Sequence, residues 1–288
     1  CEVSLGCWCE VNYPHPDRSW IGYGLRMNPA SIPLTASRHR FDGVDALRGC
    51  AIVWMTVFHF CFDLNHFGYL RQNFYADPFW TWQRTAIVSL FLFCAGLGQA
   101  IAVQQGQSWP RFWKRWAQVA GCALLVTAGS LWMFPDSFIY FGVLHGIAAM
   151  LIIVRLSAPW GRRHPLGLWL LGALAIASKF IAAYALETGA VAHFAEIFNA
   201  RSLNWLGLIT RKPITEDYVP VLPWLGVMCW GMACGQWLFR ARPHWLSAAM
   251  PRPAAPLAWL GRWSLSWYML HQPVLLSIVW AAHQWTHR

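Results

Sequence analysis

Residues 45–66 read DALRGCAIVWMTVFHFCFDLNH, a largely apolar stretch that nevertheless carries five ionisable side chains. A bilayer core of about 30 Å needs roughly 20 mostly apolar residues in a helix, and this stretch has that length. On a helix that turns about 100° per residue, the five ionisable groups fall within an arc of about 60°. They are Asp45, Arg48, His59, Asp63 and His66. Because such groups usually face the bundle interior or a wet cavity, the stretch predicts a membrane helix with one polar edge.

The composition of the whole chain agrees with a membrane protein. Of its 288 residues, 57% are hydrophobic and 12% charged, and the mean hydropathy is +0.36. Soluble domains carry about 25% charged residues, so the composition argues against an ordinary soluble fold. It also excludes the disordered, collagen-like and disulfide-scaffold classes.

Seven stretches have, or nearly have, the length and apolar character of a membrane span. They are 45–65, 85–104, 115–134, 138–156, 166–186, 219–239 and 262–283. Lys and Arg cluster in alternate connections, which places the N-terminus in the cytoplasm by the positive-inside rule. The sequence therefore predicts an all-α polytopic bundle of about seven transmembrane helices, in contact with membrane lipid. The net charge of +10 lies in short clusters between spans, which indicates topology and not nucleic-acid binding.

We divide the chain into a flexible N-terminal tail, 1–37, and a membrane domain, 38–288. The tail is rich in Pro, Ser and Asn and begins with Cys, so we expect Met27 to be the natural start. The connection 187–218 is long, and Leu206–Ile209 within it predicts an interfacial or re-entrant piece.

Two further histidines lie inside predicted spans. His145 in the fourth and His271 in the seventh fall at a depth similar to that of His59, so the three rings could meet in one cavity. The alternative is that His145 and His271 only form hydrogen bonds between helices. The spacing of the three histidines gives no specific sign of a metal site, and we expect no metal.

Other polar clusters have two interpretations each. Arg111, Lys114 and Arg115 begin the third span, where they either attract phosphates or set the topology. Asp217 and Trp224 lie near the predicted outer end of the sixth span. Both could bind a sugar, and the alternative for Trp224 is that its ring anchors the span at the membrane interface. The small residues of Phe93-Cys-Ala-Gly96-Leu-Gly98 favour close helix packing.

The order of the motifs resembles that of one enzyme family. Arg48 and His59 match the Arg-x10-His pattern of the acyltransferase-3 family. The fuller resemblance is to bacterial relatives of heparan-alpha-glucosaminide N-acetyltransferase. It is carried by the following motifs: RFDGVDALRG at 40–49, HFCFDLN at 59–65, FLFCAG at 91–96, FGVLHG at 141–146, Asp217-Tyr218 with Pro223-Trp224, and LGR at 260–262 through LHQP at 270–273.

The resemblance implies acetyl transfer from cytoplasmic acetyl-CoA to an amino sugar or sugar hydroxyl of an envelope glycan, in a bacterial inner membrane. Removing a proton from an amine or hydroxyl near neutral pH suits a histidine, so we expect His59 to be the general base and Asp63 to orient it. The expected groups for the coenzyme A phosphates are Arg48, Arg40, Lys114 and Arg115. The expected groups for the sugar or the developing oxyanion are His145, His271, Asp217, Trp224 and His66.

Two other functions fit parts of the pattern. An Asp/His edge is also what proton relays use, so a proton-coupled transporter is the main alternative. A carrier commonly has inverted repeats with broken helices, and the sequence contains none that is apparent. A structural or assembly protein of the membrane is the third possibility.

Overall fold

The computed structural model describes residues 41–189, 194–248 and 250–286. The predicted tail, 1–37, and Arg40 lie outside these ranges. Ten α-helices occur in the described residues. They are α1 (Asp42–His66), α2 (Pro78–Gln104), α3 (Trp109–Met133), α4 (Val143–Arg163), α5 (Gly167–Glu187), α6 (Ala195–Asn199), α7 (Val221–Ala241), α8 (Pro243–Ser247), α9 (Ala255–Arg262) and α10 (Ser264–Thr286). No β-strand is present among them, which confirms the all-α prediction.

Each of the seven predicted stretches corresponds to one of the seven long helices. Five of these, α1 to α5, are both long and apolar enough to cross a membrane. The helices α7 and α10 are as long, but their Trp, Gln and His side chains lower the hydropathy. The structure therefore supports an integral membrane protein with five candidate spans, and seven spans with a cytoplasmic N-terminus stay a prediction.

The observed helix starts differ from the predicted ones where capping residues decide them. The second helix begins seven residues early because Asp77 accepts a hydrogen bond from the backbone N–H of Phe79 (2.8 Å) and Pro78 occupies the first turn. The fourth begins later than predicted, since Phe141 is held in an isolated bridge to Tyr218. The predicted starts were taken from runs of apolar residues. They miss these first turns because the turns contain polar and aromatic residues.

The core of the bundle lies where α2 and α7 cross. A Cβ at Gly96 would overlap the backbone carbonyl of Met228, and one at Gly231 would overlap that of Phe93. The small residues thus allow the two backbones to touch, which confirms packing as the role of Gly96. The helix α4 completes this core, with Met150 and Val154 fully buried against α7.

The helices α9 and α10 together cover one side of α1. Gly49 of α1 and Gly261 of α9 mark a second backbone-to-backbone contact, because a Cβ at Gly261 would overlap the carbonyl of Asp45. The helix α10 then follows α1 in the same direction. Arg262 pairs with Asp42 at their start (2.7 Å), and the hydroxyl of Tyr69, just beyond α1, contacts that of Thr286 at their end (2.7 Å).

The long connection 187–218 contains the short helix α6 and a 3₁₀ turn at Asn204–Leu206 among its described residues. Asn204 is buried, and its side-chain amide donates to the hydroxyl of Tyr140 (2.7 Å). The connection is thereby tied to the segment that precedes α4.

Candidate active site

Polar side chains of α1 and α10 meet on successive turns, and we call this contact the α1–α10 seam. Its residues are Thr56, His59 and Asp63 on α1 and Trp267, His271 and Gln272 on α10. The indole N–H of Trp267 donates to Oγ1 of Thr56 (2.9 Å), and Nε2 of Gln272 donates to Oδ1 of Asp63 (2.8 Å). Of the polar edge predicted for α1, His59 and Asp63 therefore contact α10.

The two histidines of the seam lie ring to ring. The ring centroids of His59 and His271 are 5.1 Å apart. Nδ1 of His271 lies 2.8 Å from the carbonyl oxygen of Tyr268. A carbonyl only accepts, so Nδ1 carries the proton and Nε2 holds a lone pair. Two of the three histidines inside predicted spans are thus in ring contact, and a shared cavity stays a prediction.

Asp63 and His271 are the buried residues of the seam, and it contains unused hydrogen-bond acceptors. Asp63 is 1% exposed and His271 8%. Oδ2 of Asp63, Nε2 of His271 and Oε1 of Gln272 are buried, with no hydrogen-bond partner among the described residues. All three atoms can accept a hydrogen bond. Buried polar atoms normally have a hydrogen-bond partner. Three unpaired acceptor atoms in one place are therefore unusual and distinguish this site from the rest of the bundle.

The partner of Asp63 differs from the predicted one. Asp63 was expected to orient His59, one turn earlier on the same helix, but its carboxylate bonds to Gln272. Among the described residues, no hydrogen bond between Asp63 and His59 supports the predicted orienting role.

An ion cluster lies at the other end of α1. Nη1 of Arg48 pairs with Oδ1 of Asp45 at 3.0 Å, and Arg262 approaches the same carboxylate at 3.8 Å. The Arg48 side chain remains 25% exposed. A Cβ at Gly98 would lie 3.3 Å from Nη2 of Arg48, so this glycine of α2 makes room for the guanidinium.

The remaining cationic residues lie at the same end of the bundle as Arg48. Arg48 packs beside Gly98 in the C-terminal half of α2, and the short connection from α2 to α3 keeps the start of α3 at that end. Lys114 and Arg115 are exposed on the first turns of α3. Arg40, predicted to join them, lies outside the described residues.

His145 belongs to a separate hydrogen-bond network. Its Nδ1 accepts from the backbone N–H of Gly142 (3.3 Å), so Nε2 carries the proton and contacts the hydroxyl of Thr127 (3.0 Å). The Thr127 hydroxyl in turn donates to the carbonyl of Ile139 (2.7 Å). No contact of the described residues joins His145 to His59 or His271. The expectation that all three histidines meet fails for His145, because capping α4 already occupies its ring.

Asp217 caps the same helix end. Its Oδ2 accepts from the backbone N–H of Val143 (2.7 Å), where the positive end of the helix dipole favours a carboxylate. Burial raises the pKa of Asp217 above its ordinary value, and the hydrogen bond from Val143 opposes part of that rise. Burial likewise raises the pKa of the neighbouring Tyr218. Asp217 and His145 thus hold the turn before α4 in place, and no hydrogen bond or ring contact of the described residues joins either of them to the seam.

The two other predicted sugar-binding residues also lie apart from the histidine pair. Trp224 is half-buried and packs against the core of α2, α4 and α7. His66 is exposed on the last turn of α1, with its ring against Phe67 (centroids 5.3 Å). A shallow depression of about 580 Å³ lies just beyond it and is lined by Asn65, Gly68 and residues 70–75.

Two residues of this architecture were missed by sequence reasoning. Gln272 is uncharged and was not singled out, although an amide beside a histidine in an apolar helix is itself a signal. Arg155 counted only as a topology charge. It is 7% exposed, lies 5.2 Å from the Trp109 ring, and donates from Nη2 to the carbonyl of Gln107. An arginine eight residues inside an apolar helix is unusual enough to have predicted a buried partner.

A family model described as heparan-alpha-glucosaminide N-acetyltransferase, catalytic, matches residues 40–273. The chain belongs to this family. The matched range contains both histidines of the α1–α10 seam and ends one residue after Gln272. No curated protein and no solved structure matches the chain.

Membership of the heparan-alpha-glucosaminide N-acetyltransferase family has a direct consequence for function. It implies a membrane acetyltransferase and thereby an acetyl donor and an acceptor substrate, and it does not favour the transporter alternative. Among the described residues no group of three His, Cys, Asp or Glu side chains could hold a metal ion. That no metal takes part stays a prediction.

Proposed function

We propose that the protein transfers an acetyl group from cytoplasmic acetyl-CoA to an amino group or hydroxyl of an envelope glycan, across a bacterial inner membrane. The observation that carries the proposal is the His59–His271 pair in a buried polar seam, inside a chain of an acetyltransferase family. A histidine near a reacting amine or hydroxyl is the usual proton acceptor at neutral pH.

Acetyl-CoA would enter at the end of the bundle that carries Arg48, with the N-terminus in the cytoplasm. The exposed quarter of the Arg48 side chain, together with Lys114, Arg115 and Arg40, would hold the phosphates of coenzyme A. Arg48 and His59 are 11 residues apart, or about 16 Å along the helix. The pantetheine arm would bridge that distance and bring the thioester to the seam.

In the proposed step, the amine or hydroxyl attacks the carbonyl carbon of the thioester while His59 takes its proton. A C–N or C–O bond forms, the C–S bond breaks, and the thiolate of coenzyme A leaves. The proton then passes from His59 to that thiolate, so the base is regenerated and the products are the acetylated sugar and coenzyme A. A base in this role contributes about 10²–10⁴ in rate.

The test is His59→Ala in the full chain, reconstituted in lipid nanodiscs with radiolabelled acetyl-CoA and glucosamine. We expect transfer to fall by about 10²–10⁴. The matched control is His164→Ala, because His164 is exposed beyond the end of α4. Transfer by His59→Ala within a few-fold of the parent would remove His59 from the base role.

A further inference from the structure

The α1–α10 seam has more hydrogen-bond acceptors than donors. Three of its own donors are already used: Trp267 bonds to Thr56, Gln272 to Asp63, and Nδ1 of His271 to a backbone carbonyl. The Thr56 hydroxyl is used as well, because it donates to the carbonyl of Ile52 (2.8 Å). Two donors remain: one ring N–H of a neutral His59 and the second N–H of the Gln272 side-chain amide.

Three buried acceptor atoms, on Asp63, His271 and Gln272, outnumber these two N–H groups. They lie within one helical turn of each other, since Asp63 touches Gln272 directly and His271 is its neighbour in sequence. Leaving a buried acceptor without a donor costs about 1–3 kcal/mol, so a partner that offers O–H or N–H groups has a clear energetic advantage here.

We propose that Asp63, His271 and Gln272 form a subsite for a ligand group that presents several O–H or N–H donors, namely the hydroxyls beside the reacting group of the sugar. The proposal rests on the proposed function and assigns Gln272 a role in it. The pantetheine arm of acetyl-CoA also carries N–H and O–H groups. Asp63 lies 15 residues, or about 22 Å, from Arg48 along α1, beyond the roughly 16 Å that the pantetheine arm would bridge, which favours the sugar as the occupant.

A site with buried acceptors discriminates against ligands that lack the matching donors. The experiment therefore compares two amines, glucosamine and cyclohexylamine, which share a six-membered ring but differ in ring hydroxyls. The variant is Asp63→Asn in the full chain in nanodiscs. Its remaining oxygen still accepts from Gln272, while the free carboxylate oxygen becomes an N–H donor.

We expect Asp63→Asn to lower the preference for glucosamine over cyclohexylamine, measured as the ratio of kcat/KM values, by about tenfold. His271→Phe keeps the ring volume against His59 and should lower the same ratio. Asp136→Asn makes the same chemical change in an exposed loop and should leave the ratio unchanged.

Three results would overturn the subsite. An equal loss with both amines indicates a general structural role for Asp63. A raised KM for acetyl-CoA with unchanged selectivity assigns the seam to pantetheine. Unchanged kinetics indicate that water alone pairs these atoms.

A binding measurement keeps the inference separate from the proposed function. Wild-type protein should gain more thermal stability from glucosamine than from cyclohexylamine, and Asp63→Asn should lose that difference. If wild-type protein transfers no acetyl group, the proposed function fails, and the binding difference still decides whether the subsite exists. Equal stabilisation by both amines in the wild type would reject it.

Discussion

At the scale of single residues, the seam consists of side chains that the sequence identified and one that it did not. The 100° spacing along α1 predicted a common face for His59 and Asp63, and both face α10. Helical periodicity predicts which residues share one face of a helix. It does not predict which residue of a neighbouring helix packs against that face. The hydrogen bond from Gln272 to Asp63 was therefore missed, and the orienting role of Asp63 toward His59 stays a prediction. The same limit applies to His145, whose partner is a backbone N–H that no residue pattern reveals.

Asp217 gives a residue-scale prediction about pH. Because burial raises its pKa in the folded protein, the carboxyl binds its proton more tightly folded than unfolded. The free energy of unfolding therefore falls as the pH rises from the pKa of the unfolded carboxyl, about 3.9, to the raised pKa of the folded one. At any pH above the folded pKa this loss of stability is complete and stays constant. Asp217→Asn keeps an oxygen for the N–H of Val143 but carries no charge.

We expect the melting temperature of Asp217→Asn to rise relative to wild type as pH increases from about 4 to about 7. Tryptophan fluorescence of the detergent-solubilised protein measures the transition. A gap that stays constant, or that widens in favour of wild type, would contradict the burial argument. Asp136→Asn serves as the exposed comparison.

At the scale of helices, contacts between small residues set the architecture. The apolar runs predicted where seven long helices lie, and the observed elements follow them with shifts at the capped ends. The runs could not predict which helices pair. That information is in the glycines: Gly96 and Gly231 allow α2 to meet α7, and Gly49 and Gly261 allow α1 to meet α9.

Gly261→Ala tests the contact between α1 and α9. The added Cβ overlaps the carbonyl of Asp45, so the helices must separate, at a cost of about 1–3 kcal/mol. We expect the melting temperature to fall by several degrees. Gly43→Ala is the matched control, because nothing lies within 4 Å of its Cβ. Equal melting temperatures for the two variants would show that the crossing tolerates a side chain.

At the scale of the whole molecule, the charge distribution predicts how the bundle is oriented. Arg162 and Arg163 lie at the end of α4, whereas the turn between α3 and α4 carries Asp136. By the positive-inside rule, the end of α4 is cytoplasmic. The acetyl donor and the sugar would then approach the seam from opposite faces.

Reporter fusions test this orientation. We expect alkaline phosphatase fused after Asp136 to be active, because the enzyme folds only outside the cytoplasm, and a fusion after His164 to be inactive. Green fluorescent protein at the same two positions should give the reverse pattern, which controls for expression. Phosphatase activity after His164 but not after Asp136 would invert the proposed entry of acetyl-CoA.

The two halves of the seam are far apart in the chain. Asp63 and Gln272 are separated by 209 residues, and Arg262 and Asp42 by 220. During synthesis α1 is therefore made long before α10. We expect Asp63 and His59 to lack their partners Gln272 and His271 until α10 leaves the ribosome. In the proposed mechanism, a nascent chain that lacks α10 has no His59–His271 pair and transfers no acetyl group before assembly is complete.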